Sequence, residues 1–442
     1  MAREGRRERP ADRPAGRSGR SGRPADHERR LYLAAHPLAY PLMRLLARFG
    51  PVVRVPGLGV VVNDAAVARA VLTDPNFRKD GPGSPADLWT PVLGPSVLLN
   101  MEGPDHLALR RKLTPLFAPG YVTDLVADVL REPLAELDAR LARGETVDLV
   151  DTMRVMAGAV ICRIIGLDLG TGAVAGPVPG GFSEARAREL FAEGERVVSM
   201  VSLRSRRLSE RQIAVAKQVL DRIGDIAQAA YEAGDPSTVM GRMRELGLSA
   251  AEARGAAGAF FLTGTETVAT LLPRLIALVC DHGLDRRTVL EDLDRVIDEA
   301  MRVTTPTPVM LRSVAAPARI GGAPGSRRTT GDRGTDGTGP TGPAGRAGRS
   351  GVAVRPGDRV LIVTHNCARA HGPFDPSRPH PPELRHLWFG AGPHFCIGHP
   401  LAVAEIRAVA RAVLAHDVRI TGRRAARGVL IPTYEHLRIT AS

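Results

Sequence analysis

Between Ala256 and Cys280 the chain is almost wholly apolar, and this run limits the available folds more than any other feature. A helix of that character has to be buried. Glu266, Pro273 and Arg274 interrupt it, and three threonines fall between positions 263 and 267, so it reads as the core helix of a water-soluble body rather than a membrane span. Such a helix needs partners on every side. From Asp105 to Met301 the apolar spacing is helical, with helices predicted over Asp105–Leu116, Val122–Leu141, Leu149–Ile165, Glu184–Val201, Glu210–Ala233, Ala250–Cys280 and Leu290–Arg302.

The flanks of this body read differently. Val52–Val55 and Gly59–Val62 form a predicted hairpin, followed by a short helix over Asp64–Leu72, while the Gly-, Pro- and Ser-rich stretch Gly81–Leu99 reads as a loop. After Met301 short strands are expected at Val309–Val314, Val352–Val354, Val360–Val363, Val418–Thr421 and Leu437–Thr440, with one helix at Leu401–Leu414. The fold class is therefore mainly α with a minor β region (α+β).

A net charge of +13 invites a nucleic-acid reading, and its distribution argues against one. Residues 1–30 hold ten arginines and five acids, and residues 321–350 hold five arginines and two acids, so these two segments carry most of the excess. Both lack periodic apolar positions; residues 1–30 read as a disordered basic tail, and 321–350 as a disordered insertion within a single domain spanning 31–442. No nucleic-acid partner and no membrane partner is expected. Four cysteines without a CxxC pair fit a reducing, cytoplasmic setting in which a functional cysteine acts singly.

One cysteine has such a context. In Phe389-Gly390-Ala391-Gly392-Pro393-His394-Phe395-Cys396-Ile397-Gly398, three glycines and a proline impose a tight loop, and Cys396 falls just before an apolar-periodic helix. A thiolate there is favoured by the helix dipole and free backbone N–H groups, and the glycines let a flat group lie against the loop. Cys396 is thus poised as a nucleophile or a metal ligand.

This pattern resembles the haem-binding loop of the cytochrome P-450 superfamily. The resemblance covers about Leu31 to the C-terminus and implies a fold with a long central helix over a haem and a small β-rich lobe. It further implies haem b (iron protoporphyrin IX) with Cys396 as the axial thiolate, Phe389, Gly390 and Gly398 shaping its loop. Thr263-Gly264-Thr265-Glu266-Thr267 resembles the family's oxygen-activation segment. There Gly264 would clear space for a bound group, Thr267 would hold dioxygen by a hydrogen bond and Glu266 would connect it to water. A plain alternative is a helix whose threonines bond the preceding turn.

Further positions match. Glu299-Ala300-Met301-Arg302 resembles the Glu-x-x-Arg helix of the family, where a structural pair would be completed by Arg378. His106, Arg110, Arg312 and His394 fall where the family binds haem propionates. The segment around Asn366-Cys367-Ala368-Arg369 departs from the family's Asn-Arg-Asp-Pro, and Thr263 replaces a small residue.

The implied activity is that of a bacterial-type haem-thiolate monooxygenase inserting one atom of O2 into a small organic substrate such as a secondary metabolite. With no reductase segment in the sequence, electrons are expected from NAD(P)H through a ferredoxin reductase and ferredoxin, with Arg111, Lys112, Arg407 and Arg411 as candidate docking residues on a monomer. Substrate contacts are expected from Gly81–Leu99, Phe260–Thr263, Thr307–Met310 and Pro432–Tyr434. The alternatives are a peroxide-using or redox-independent haem-thiolate enzyme, against which Glu266 and Thr267 argue, and a non-catalytic haem-binding protein.

Overall fold

The computed structural model describes residues 26–167, 169, 183–202, 205–321 and 351–441. The expectations for residues 1–25 and 322–350 lie outside these. In chain order the elements are α1 (His27–Ala35), α2 (Ala39–Leu46), β1 (Val52–Val55), β2 (Gly59–Val62), α3 (Ala65–Thr73), β3 (Phe77–Arg78), α4 (Pro85–Leu93), α5 (Gly103–Leu113), α6 (Pro119–Val129), α7 (Arg131–Ala142), β4 (Val147–Asp148), α8 (Leu149–Ile165), α9 (Glu184–Val198), α10 (Glu210–Ala233) and α11 (Val239–Glu245). They continue with α12 (Ala250–Asp281), α13 (Arg286–Glu291), α14 (Leu293–Thr304), β5 (Met310–Val314), β6 (Ala318–Ile320), β7 (Val352–Val354), β8 (Arg359–Ile362), α15 (Thr364–Arg369), α16 (His399–Leu414), β9 (Val418–Ala425) and β10 (Tyr434–Ala441).

The apolar run lies in α12, which begins with a capping box in which Ser249 and Glu252 satisfy each other's backbone N–H. It is long and apolar enough to cross a membrane, but 78% of its most apolar window is buried inside the protein. It packs against α8, α9, α10, α14 and α16, and one hydrophobic core runs from Leu31 to Ile439. At the side, β1-β2-β8-β5-β3 form one sheet, and β4-β10-β9 and β6-β7 form two smaller ones. Parallel β2 and β8 pair Val61 with Leu361, and antiparallel β5 and β8 pair Arg312 with Val360. This fixes the sheet beside the functional residues.

Three expectations change, and one new pairing joins the chain across 322–350. Gly81–Leu99 contains α4, because Pro85 sits in the first turn, where a missing N–H costs nothing. Val122–Leu141 divides at Leu130 into α6 and α7, since Pro133 is accommodated only near a helix start. Order begins before Leu31: α1 starts at His27, capped by the Asp26 carboxylate, and Glu28 is buried. That acid meets Arg274 of α12 in a fully enclosed ion pair, and Arg274 also donates to the Pro432 carbonyl at 2.9 Å. Finally, β6 and β7 pair Ile320 with Val352, so the chain on either side of 322–350 belongs to one hairpin.

Candidate active site

Two positive backbone angles shape the cysteine loop. Gly390 has φ +85 and Gly392 φ +66, and a Cβ on Gly392 would come within 2.9 Å of the Leu72 carbonyl, so glycine lets the loop seat on α3. The Cys396 N–H donates to the Phe389 carbonyl at 2.9 Å, while the Phe389 ring packs edge-on against His399. Gly398 is the N-cap residue of α16. A Cβ there would lie 3.9 Å from Cys396 Sγ and 4.0 Å from Phe117, so its absence leaves room beside the sulfur.

Protein encloses Cys396 on nearly every side, yet its side chain remains accessible, which places it on the wall of an internal cleft. Burial raises its pKa and outweighs the N–H groups of Gly398 and His399 and the charges of Arg110 and Lys79, which all favour the thiolate. The expected thiolate-favouring environment is present, but in the bare protein desolvation wins.

A basic cluster adjoins the sulfur. Arg110 donates to the Phe395 carbonyl at 2.7 Å, holding α5 to the loop. The His106 and His394 rings lie 4.2 Å apart between centroids, and burial beside His394 lowers the His106 pKa to about 4. Arg312 is buried on β5, its Nε without a hydrogen-bond partner, and burial lowers its pKa to about 10. The four basic residues read from the sequence thus belong to one electrostatic neighbourhood, with two unforeseen members. Lys79, lowered to about 8 by burial and by Arg312, interacts with Cys396 and Arg110. Glu102 accepts the Lys79 backbone N–H at 2.5 Å and lies 2.8 Å from His394 Nε2. His394 therefore already spends one ring nitrogen on a carboxylate. Neither residue stands in a recognisable motif, so their roles emerge only once β3 and α5 are side by side.

Phe117, beside Gly398, stacks edge-on with Phe260 of α12, 5.2 Å between centroids. Thr263 is exposed although it sits mid-way along the core helix, and Thr267, one turn on, is half-buried. Thr267 Oγ1 donates to the Thr263 carbonyl at 3.0 Å, and Thr263 and Thr265 make the same kind of bond to Ala259 and Phe261. The threonines thus adopt the plain helical arrangement, with each hydroxyl oxygen still able to accept. Glu266 is pushed up to about 8 by burial and by Glu195 of α9, with Arg154 of α8 pulling it down. A Cβ on Gly264 would lie 3.3 Å from Ile161 of α8, so the missing side chain lets α12 pack closely on α8.

The Glu-x-x-Arg pair forms, but its third member differs. Arg302 Nε and Nη2 grip Glu299 at 2.6 and 2.7 Å, and Arg302 also donates to the carbonyls of Ala368, Gly372 and Pro373. Arg378 instead donates to His371 and Pro373 carbonyls and pairs with Asp375. His380 takes the expected place, with Nε2 2.8 Å from Glu299 and Nδ1 3.0 Å from Asp298. Two of the candidate docking cations are committed elsewhere: Lys112 to Glu252 and Arg407 to Asp294. Arg111 and Arg411 stay exposed.

These residues fit a flat, doubly anionic group with a central metal. A sulfur faces the cleft, a glycine leaves the space beside it open, and a surplus of cations with an orphaned buried Arg312 Nε stands next to it.

The chain as a whole is similar to several known proteins. The cytochrome P-450 monooxygenase DoxA of Streptomyces sp. (strain C5) is 26% identical over 415 residues, covering 85% of this chain and 88% of DoxA. The erythromycin C-12 hydroxylase of Saccharopolyspora erythraea is 24% identical over 347 residues, 74% of each chain. Among solved structures, a mutant of P450 EryK in complex with erythromycin B superposes with a TM-score of 0.69 at 20% identity, over 92% of this chain and 97% of that one. No protein-family model matches the chain.

Proposed function

We propose that this chain, which belongs to the cytochrome P450 superfamily and is an oxygen-incorporating oxidoreductase, carries haem b on Cys396 and oxidises a small organic molecule of secondary metabolism. The observation that carries this reading is Cys396 on the wall of an internal cleft, with Arg110 and Lys79 acting on its sulfur and His106, His394 and Arg312 in the same basic cluster. Bound there, the haem would supply reductive activation of O2, its thiolate ligand donating electron density. Arg110, Arg312 and His106 would hold its carboxylates, with Lys79 adding charge and Glu102 orienting His394.

The remaining work falls to α12. Glu266, its pKa raised to about 8 by burial, is largely protonated at neutral pH and holds a proton on the same turn as Thr267. Thr267, with its own hydrogen committed to the Thr263 carbonyl, presents an acceptor and so orients a proton donor in front of it. Phe117 and Phe260 keep the approach apolar and exclude water. Electrons come from an external ferredoxin and its reductase, with Arg111 and Arg411 available on the surface. The chain acts as a cytoplasmic monomer built on one domain that begins at α1.

The relatives' names include a 20-oxo-5-O-mycaminosyltylactone 23-monooxygenase and an erythromycin hydroxylase. Macrolides and other bulky oxygenated metabolites are therefore the first substrates to test. The holoenzyme with NADPH, ferredoxin, ferredoxin reductase and ¹⁸O2 should place one ¹⁸O atom in a product from a compound that shifts its absorption spectrum. Oxygen drawn from water, or turnover with peroxide and no response to the reductase, would overturn the reading.

A further inference from the structure

Five large apolar side chains are exposed among the described residues, and four of them crowd into one short segment: Leu38 (68% exposed), Leu42 (49%), Leu45 (46%) and Phe49 (68%). At 100° per residue these positions fall within an arc of about 60°, so they form one stripe along α2 and the single-turn 3-10 helix that follows it. The opposite face, Tyr40, Met43 and Leu46, is already buried in a small cluster with Tyr32, Val61 and Val363. The helix is therefore apolar on two sides, whereas a surface helix needs only one.

Charge narrows what can cover the stripe. From Arg29 to Asn63 the sequence has five arginines and not one acidic residue. Arg44 and Arg48 border the stripe on one side, and no acidic partner is found for Arg29, Arg30, Arg44 or Arg48 among the described residues. Residues 1–25, immediately before α1, add eight arginines against three acids. A second copy of this chain is a poor match. A two-fold contact would set these cations against themselves across the interface.

We propose that α2 is an interfacial docking helix that lays Leu38, Leu42, Leu45 and Phe49 into the surface of an anionic lipid bilayer, with the flanking arginines on the headgroups. An apolar stripe bordered by cations is what such a surface selects: the side chains enter the boundary of the acyl region while the guanidiniums stay at phosphate level. The burial of α12 inside the protein does not bear on it, because α2 would lie in the interface rather than across the bilayer. The enzyme would thereby be held where apolar substrates partition.

The test uses the full-length haem-loaded chain and sedimentation with vesicles of phosphatidylglycerol or of phosphatidylcholine alone. The wild type should bind phosphatidylglycerol vesicles and largely ignore phosphatidylcholine, with binding weakened in high salt. Leu42→Ser with Phe49→Ser should reduce the partition coefficient at least tenfold while leaving the absorption spectrum and melting temperature unchanged, since both side chains are exposed. Equal binding by wild type and double variant would assign the attraction to the basic tail and overturn the proposal. So would a wild type that ignores anionic vesicles, or one whose stripe instead supports a concentration-dependent dimer abolished by the same substitutions.

Discussion

Thr267 and His380 are each defined by a partner the chain provides. Thr267 gives its hydrogen to the Thr263 carbonyl, so its value in the proposed site is as an acceptor. Thr267→Ala should keep haem and substrate binding but divert most reducing equivalents to peroxide, measured as NADPH consumed per product formed. Unchanged coupling would remove Thr267 from that role. His380 is half-buried between Asp298 and Glu299; burial opposes its charge, yet the two carboxylates raise its pKa to about 9. A raised folded pKa binds protons more tightly than the unfolded chain does. Its stabilisation is therefore complete below pH 6.5 and is lost as pH rises through 9. His380→Asn should lower the denaturation midpoint at pH 6 and have much less effect at pH 10; an equal effect at both would contradict the charged pair. The sequence marks Cys396 because thiol chemistry and glycine turns are local, whereas His380 replaces Arg378 through a loop path that no spacing rule describes.

Among the elements, α12 organises the rest, and its length, start and burial are all legible in its apolar run and its Ser249/Glu252 cap. Its tie to α1 is not. Glu28 and Arg274 are 246 positions apart and meet only once the fold brings α1 beside α12, with Tyr32 donating to the carbonyls of Thr304 and Thr305. A carboxylate next to three arginines or histidines in the sequence gives no hint of that burial. Glu28→Gln leaves Arg274 buried and uncompensated and should cost about 3–5 kcal/mol, read as a lower urea midpoint. Adding Arg274→Met should recover much of the loss. An unaltered midpoint in the single variant would show that α1 contributes little. The same distance problem hides Glu102 and Lys79, whereas helices α8 and α10 match their predicted bounds because their caps and apolar spacing lie within the segments themselves.

At the scale of the whole molecule, the helical body and the β-rich side are held by one continuous core, and the Gly/Arg-rich insertion interrupts a hairpin whose strands still pair, Ala318 with Val354 and Ile320 with Val352. Replacing 322–350 by a four-residue turn shortens the closed loop by nearly three doublings and should stabilise the protein by about 2 kcal/mol, leaving its spectrum intact. A loss of haem on that replacement would show that the insertion contributes to the site. The molecule's central claim, though, concerns one atom, Cys396 Sγ, at the wall of its internal cleft. The absorption spectrum of the reduced carbon monoxide complex tests it directly. The wild type should show the red-shifted band of a thiolate-ligated haem and Cys396→Ala should lose it; a wild type without the band, or a variant that keeps it, would contradict the account.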